Sequence, residues 1–328
     1  MLAPAIPQIL RQNHSANRTL GSFVVSSFQL GYTIGPFFIA PMSEVYGRVA
    51  LYHTCNILFC IFLVASAVSS SLAQLMVFRV LSGVVGVCPI AIGSGTIADM
   101  VPREKMAGVL AIWSLGPLLG PVLSPIVGGV LAERAGWRWT FWLCLILAGI
   151  ILAVSLCVYR ESYAPVLLRR RAIRALKQDN RDSGNVPPLT AMKPLLVRAL
   201  RRPLKLLVRS PIVAILSSYI GITFGYFYLL FTTFAEAFET CYDFSQQSAG
   251  FAYLGFGVGA SAGLAMYSWY ANRRAAKMFQ QGRLTPESRL IPAMYGCLLV
   301  PVGLFVYGWT LDRNVDEAET ESPLVDDP

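Results

Sequence analysis

Eight apolar runs, 20–42, 51–72, 75–98, 107–132, 139–159, 211–235, 248–270 and 290–311, set the strongest limit on what this chain can become. Crossing a hydrocarbon core takes about 20 apolar residues at helical rise, and each run is that long. No water is present at that depth, so a spanning segment must satisfy its own backbone, and an open segment does so only as a helix. The expected fold is therefore all-α: a polytopic membrane protein of about eight transmembrane helices in two blocks. Composition agrees, with 55% hydrophobic and 14% charged residues, where soluble domains hold about 45–50% and about 25%.

The run at 107–132 contains GPLLGPVLSPIVGG (116–129), in which Pro117, Pro121 and Pro125 recur at helical spacing. Each interior proline costs a soluble helix about 3 kcal/mol. In a bilayer, neighbouring helices and local adjustments satisfy the groups that proline frees. Gly116, Gly120, Ser124 and Gly128 form a second row beside the prolines, and small residues so spaced let helices approach closely. A tight packing face is the expectation.

Charge orients the spans. Of the 27 Lys and Arg residues, 21 fall in the alternate loops 43–50, 99–106, 160–210 and 271–289, five fall on the opposite side, and Arg79 lies inside a run. Cytoplasmic loops are enriched in Lys and Arg, so the first set is expected in the cytoplasm and both ends of this chain outside. The net charge of +9 is thus a topology signal, and no nucleic-acid partner is expected. The basic stretch RRRAIRALK (169–177) reads as a solvated segment facing lipid headgroups. Four parts are expected: a transmembrane block 1–159, a basic cytoplasmic linker 160–210, a second block 211–311, and an acidic disordered tail 312–328. The seven cysteines imply no disulfide framework, because all but Cys241 fall in apolar runs.

Several motifs in register carry a family resemblance. APMSEVYGR (40–48) resembles the loop between helices two and three of the major facilitator superfamily, FRVLSG (78–83) its helix-four arginine motif, and GPLLGPVLSPIVGG the helix-five motif of its antiporter branches. WRWTFW (137–142), RESYAPVLLRRRA (160–172) and PESRL (286–290) are similar to the fungal drug:proton antiporter-like exporters of drugs and polyamines. The resemblance implies a twelve-helix protein of two halves, with a cavity lined by helices one, four, seven and ten. APAIPQIL (3–10) then matches the end of helix one and the eight runs match helices two to nine. Most of helix one and helices ten to twelve are expected to be lacking.

The resemblance implies roles for particular residues. Arg79, a charge within a span and so a functional candidate by default, would couple protons; the plainer reading is that it reaches the outer headgroups. Glu44, Gly47, Arg48 and Asp99 would form a cytoplasmic gate. Within it Glu44 could pair with Arg48 four residues on, and Asp99 could reach Arg48 if their helices pack. Ala40 and Val49 depart from the usual pattern of this loop. Gly116, Pro117, Gly120, Pro121, Gly128 and Gly129 would form a pivot and proton seal. Tyr219, Tyr226, Tyr228 and Phe231, in family helix seven, are cavity candidates whose ring faces attract cations, although such residues also serve as ordinary lipid-facing groups.

Two glycine strings have plainer readings. GSGTIA (93–98) fits a dinucleotide fingerprint in letters but lacks the strand and βαβ unit that motif needs, so it reads as a packing surface, as does GFGVGASAG (255–263). His14 and His53 stand too far apart for a metal site, and no nucleophile elbow or Walker loop is present. The expectation is a non-enzyme without cofactor or metal, and the resemblance implies a transporter, of the plasma membrane ahead of the vacuolar one, that exports drugs, polyamines or other amphipathic or cationic small molecules, with protons as coupling ion and the lipid bilayer as partner. The alternative is a remnant that does not transport, or a membrane protein dependent on another chain.

Overall fold

The structure, a computed structural model, describes residues 6–12, 18–159, 161, 163, 166–168, 205–241, 253–266, 269, 273, 296 and 299–309. Among the described residues all regular structure is helical, in the order α1 (Ile6–Gln12), α2 (Arg18–Tyr46), α3 (Arg48–Val68), α4 (Leu72–Gly86), α5 (Cys88–Met100), α6 (Arg103–Ala135), α7 (Arg138–Val158) and α8 (Pro211–Cys241). Two shorter apolar helices follow, α9 (Tyr253–Met266) and α10 (Leu299–Trp309).

Among the described residues, six stretches are long and apolar enough to cross a membrane: Phe23–Tyr46, Arg48–Val68, Leu72–Met100, Gly108–Ala135, Arg138–Val158 and Pro211–Leu230. They coincide with the first six apolar runs. The seventh and eighth contain α9 and α10, and the rest of those two runs, apart from Trp269 and Gly296, lies outside the described residues, as do most of 160–210 and the whole of 312–328.

Local chemistry explains the boundaries. Gly47, at φ 98°, separates α2 from α3, and Gly136, at φ 87°, separates α6 from α7. The third span is two helices: α4 ends at Gly86, and Pro89 in the first turn of α5 supplies no amide to continue the ladder across Val87. Ser71 caps α4 by accepting from the Gln74 amide at 3.3 Å. α6 runs as helix through Pro117, Pro121 and Pro125, and α2 through Pro36 and Pro41.

Two compact units emerge: 1–116 with 131–219, and 117–130 with 220–328. The first has two apolar centres. One gathers Ile9, Val24, Leu63, Leu75, Trp137 and Phe141, and the other Ile39, Leu51, Cys55, Val87, Cys88 and Ile92. Between these centres α2 and α4 cross at almost bare backbone. A Cβ on Gly31 would strike the Val80 carbonyl, one on Gly35 the Val84 carbonyl, and one on Gly83 the Phe28 carbonyl. On the outer face of α7, Ile150, Ile151, Val154 and Val158 are all more than half exposed, as suits a helix whose solvent is lipid.

In the second unit, Val122 of α6 occupies the space beside Gly257 of α9, 2.6 Å from where a Cβ would lie. Phe227 of α8 meets Phe256 of α9 edge-on at 5.1 Å between ring centroids.

Candidate functional site

Gly47 is the N-cap of α3. Its φ of 98° and ψ of 162° lie where essentially only glycine goes, and the Glu161 carboxylate fills the space a Cβ would need. Glu161 Oε1 accepts from the Arg48 amide at 3.0 Å and Oε2 from the Val49 amide at 3.3 Å. A helix leaves its first amides without internal partners and carries a partial positive charge there, so an anion suits the position. Oε1 also accepts from the Tyr163 amide at 3.2 Å, which fixes the chain just beyond α7.

The Arg48 side chain turns the other way. Its Nε donates to Asp99 Oδ2 at 3.1 Å, one guanidinium nitrogen donates to Ser43 Oγ at 3.1 Å, and the Tyr163 ring lies 5.2 Å beneath. Asp99 stands at the end of α5, where Gly95 leaves the guanidinium room: a Cβ there would lie 2.9 Å from Nη2. The side chains are 12% and 28% exposed, so the pair is more sheltered than an ordinary surface ion pair.

The pairing of Glu44 with Arg48 does not form in this structure. Gly47 breaks the helical path between them, so a spacing of four no longer places them on one face, and Glu44 is exposed at the end of α2. Its charge reaches Tyr163 instead. The phenol is pushed up from its ordinary value first by burial and then by the Glu44 carboxylate.

At the far end of α3, Arg138 donates to the carbonyls of Ala67 and Ser69 at 3.2 and 3.3 Å, with its guanidinium 4.7 Å from the Trp137 ring centroid. Trp137 in turn donates to Gln12 Oε1 at 2.7 Å, and Gln8 to the Ala132 carbonyl at 2.7 Å, which seats α1 in the bundle.

Arg79 points at α2. Its terminal nitrogen donates to the Val25 carbonyl at 3.2 Å and its guanidinium lies 5.6 Å from the Phe28 ring centroid. Nε is buried with no hydrogen-bond partner. Residue type alone does not mark Ser43, Tyr163 or Glu161 as members of this cluster. The sequence signal for Glu161 is an acid just after the fifth apolar run; that for the α2/α4 crossing is the G-x-x-x-G of GYTIG (31–35).

The proline-glycine row divides. Gly116, Pro117 and Gly120 are exposed, whereas Pro125, Gly128 and Gly129 are buried and Pro121 is half-buried. Among the described residues, no close approach is made at Gly116 or Gly120, where a Cβ meets nothing within 4 Å. The same holds at Gly255, Gly259 and Gly263, where the approach falls at Gly257 instead. GSGTIA does present a packing surface, with the Trp113 indole 2.9 Å from where a Cβ on Gly93 would lie.

The tyrosine set does not share one face. Tyr219 and Tyr226, seven apart on α8, align, while Tyr228 projects about 200° round the helix from Tyr226. The Phe231 side chain lies outside the described residues.

Among the described residues, six apolar helices long enough to span, with charges gathered at their ends and an arginine set within one span, define an integral multi-pass membrane protein. The family model described as Major Facilitator Superfamily matches residues 1–316, and the chain belongs to that family. It is 41% identical over 320 residues to the MFS transporter cpaT of Aspergillus oryzae, covering 96% of this chain and 64% of that protein. It is 44% identical over 321 residues to the MFS-type transporter penM of Penicillium rubens, with 94% and 62% covered. With the efflux pump radE of Floropilus chiversii the identity is 41% over 323 residues, with 97% and 60% covered. The chain thus spans about three fifths of the length of these relatives. The crystal structure of a D-xylose-proton symporter shares the fold at a TM-score of 0.52 and 18% identity, over 84% of this chain and 63% of that one.

Proposed function

We propose that this chain works in a proton-coupled secondary transporter that exports amphipathic or cationic compounds, drugs or polyamines among them, across the plasma membrane. The observation that carries the reading is Arg79: a guanidinium held inside a span on one backbone carbonyl, with Nε buried and unpartnered. A charge costs about 2.5–3.5 kcal/mol at the centre of a span and less towards its ends, and an arginine within a span is by default a functional candidate. The relatives are named transporters and an efflux pump, which supports outward movement of a small molecule.

In this reading two helical halves rock about a central site. The excess of basic residues puts the Arg48 end of the bundle in the cytoplasm. There Arg48 and Asp99, with Glu44 and Gly47 beside them, close the gate and separate when it opens. Gly116, Pro117, Gly120, Pro121, Gly128 and Gly129 serve as the pivot, and Tyr219, Tyr226, Tyr228 and Phe231 offer ring faces to a cationic substrate.

The test is efflux of a fluorescent amphipathic amine from vesicles carrying the chain, with and without an imposed pH gradient, beside Arg79→Met. Gradient-driven flux that a protonophore collapses and Arg79→Met loses is the expected result. Flux indifferent to the gradient removes proton coupling. An inserted chain that moves nothing assigns the other reading, a membrane protein that does not transport or that acts with another chain.

A further inference from the structure

We propose that Glu161 is a positioning residue for the Arg48–Asp99 pair, so that the segment leaving α7 is built into this cluster instead of merely beginning beside it. Its carboxylate takes the amides of Arg48 and Val49, the first two residues of α3, and the amide of Tyr163. Those bonds fix the backbone from which the Arg48 side chain departs, and Tyr163 lays its ring under the guanidinium at 5.2 Å. Arg48 is thus oriented by its backbone through Glu161, by its face through Tyr163, and at its edge by Asp99 and Ser43.

The charges support the arrangement. A carboxylate at the N-terminus of α3 completes that end of the helix, whereas the cation of Arg48 would by itself be unfavourable in a first turn. Glu161 therefore offsets the presence of Arg48 at that position while Asp99 takes up its side chain. Releasing Glu161 frees the backbone of the 47–49 turn and loosens the guanidinium from Asp99 without touching Asp99. Displacement of the segment after α7 is in this way transmitted to the pair. The inference extends the gate reading given above, but its test reads stability and is decided whether or not the chain transports.

The experiment is a double-mutant cycle on melting temperature with the full chain in nanodiscs. Arg48→Met, Asp99→Asn and the double variant are each made in the native background and again with Glu161→Gln, which keeps the shape and removes the charge. The expected result is a non-additive Arg48/Asp99 term in the native background that falls to less than half with Glu161→Gln. A term of the same size in both backgrounds makes Glu161 a simple helix cap and overturns the proposal; so does the absence of any such term in the native background. Should Glu161→Gln fail to insert, Glu161→Asp retains the charge, draws it back by one methylene, and is read by the same criterion.

Discussion

Glu161 and Arg138, which flank the two ends of α7, hold opposite ends of α3. Glu161 accepts from the amides that open α3, and Arg138 donates to the carbonyls of Ala67 and Ser69 that close it. Both helices are 21 residues long, about 31 Å at 1.5 Å per residue, so antiparallel packing brings each charge to the matching end. The signs are those the helix dipole favours. Arg138→Met keeps the apolar stem and removes both carbonyl contacts, and it is expected to lower stability by about 1–3 kcal/mol. Thermal unfolding of the purified chain measures this, and an unchanged midpoint speaks against the contact.

At Gly47 a backbone at φ 98° coincides with a carboxylate where a side chain would start. Gly47→Ala is expected to cost about 1–3 kcal/mol from backbone strain alone, with the collision against Glu161 in addition. The cost should shrink when Glu161→Gly is present, because only the strain then remains. Comparing the two melting shifts separates the contributions.

Helix crossings give a contrast between glycines of equal appearance. Gly31→Leu drives a side chain into the backbone of α4 and is expected to abolish a monodisperse peak in size-exclusion chromatography. Gly120→Leu meets no neighbour within 4 Å and is expected to leave the peak in place. Removing a helical glycine also favours the helix by roughly 0.5–1 kcal/mol. The reverse pattern would show that α6, and not the α2/α4 crossing, sets the stability of the bundle.

Arg79→Met replaces a half-buried cation by an apolar side chain of similar length. Because Nε lacks a partner, the exchange is expected to leave stability unchanged or to raise it, as substitution of buried charges by apolar groups often does. Proton-driven flux is expected to disappear at the same time. A variant that loses stability instead marks Arg79 as a structural link between α4 and α2.

The α1 seat is open to a smaller test. Trp137→Phe keeps the ring packing and removes the donor to Gln12, with an expected cost of about 0.5–1.5 kcal/mol. Gln12→Ala should cost a similar amount, and the two together no more than either, since they remove one bond. Additive melting shifts would argue against it.

Solvent, secondary structure, the positions of six spans and the family are all legible in the amino-acid sequence. Apolar length and the lack of water in a bilayer leave the backbone almost no alternative to helix, and motifs in fixed register carry the family signal. Which of several equivalent-looking residues meet depends on how the helices pack. Spacing places Gly116 and Gly120 on one face, as it places Gly31 and Gly35, but it does not say which face another helix covers, and only the second pair is approached. Spacing also joined Glu44 to Arg48. A single glycine at positive φ turned the chain between them and gave Arg48 to Asp99, 51 residues away along the chain. The role of Glu161 is illegible for the same reason: two of its partners are backbone amides 113 and 112 residues earlier, groups every residue carries, which become a site only when a helix end leaves them free beside α7.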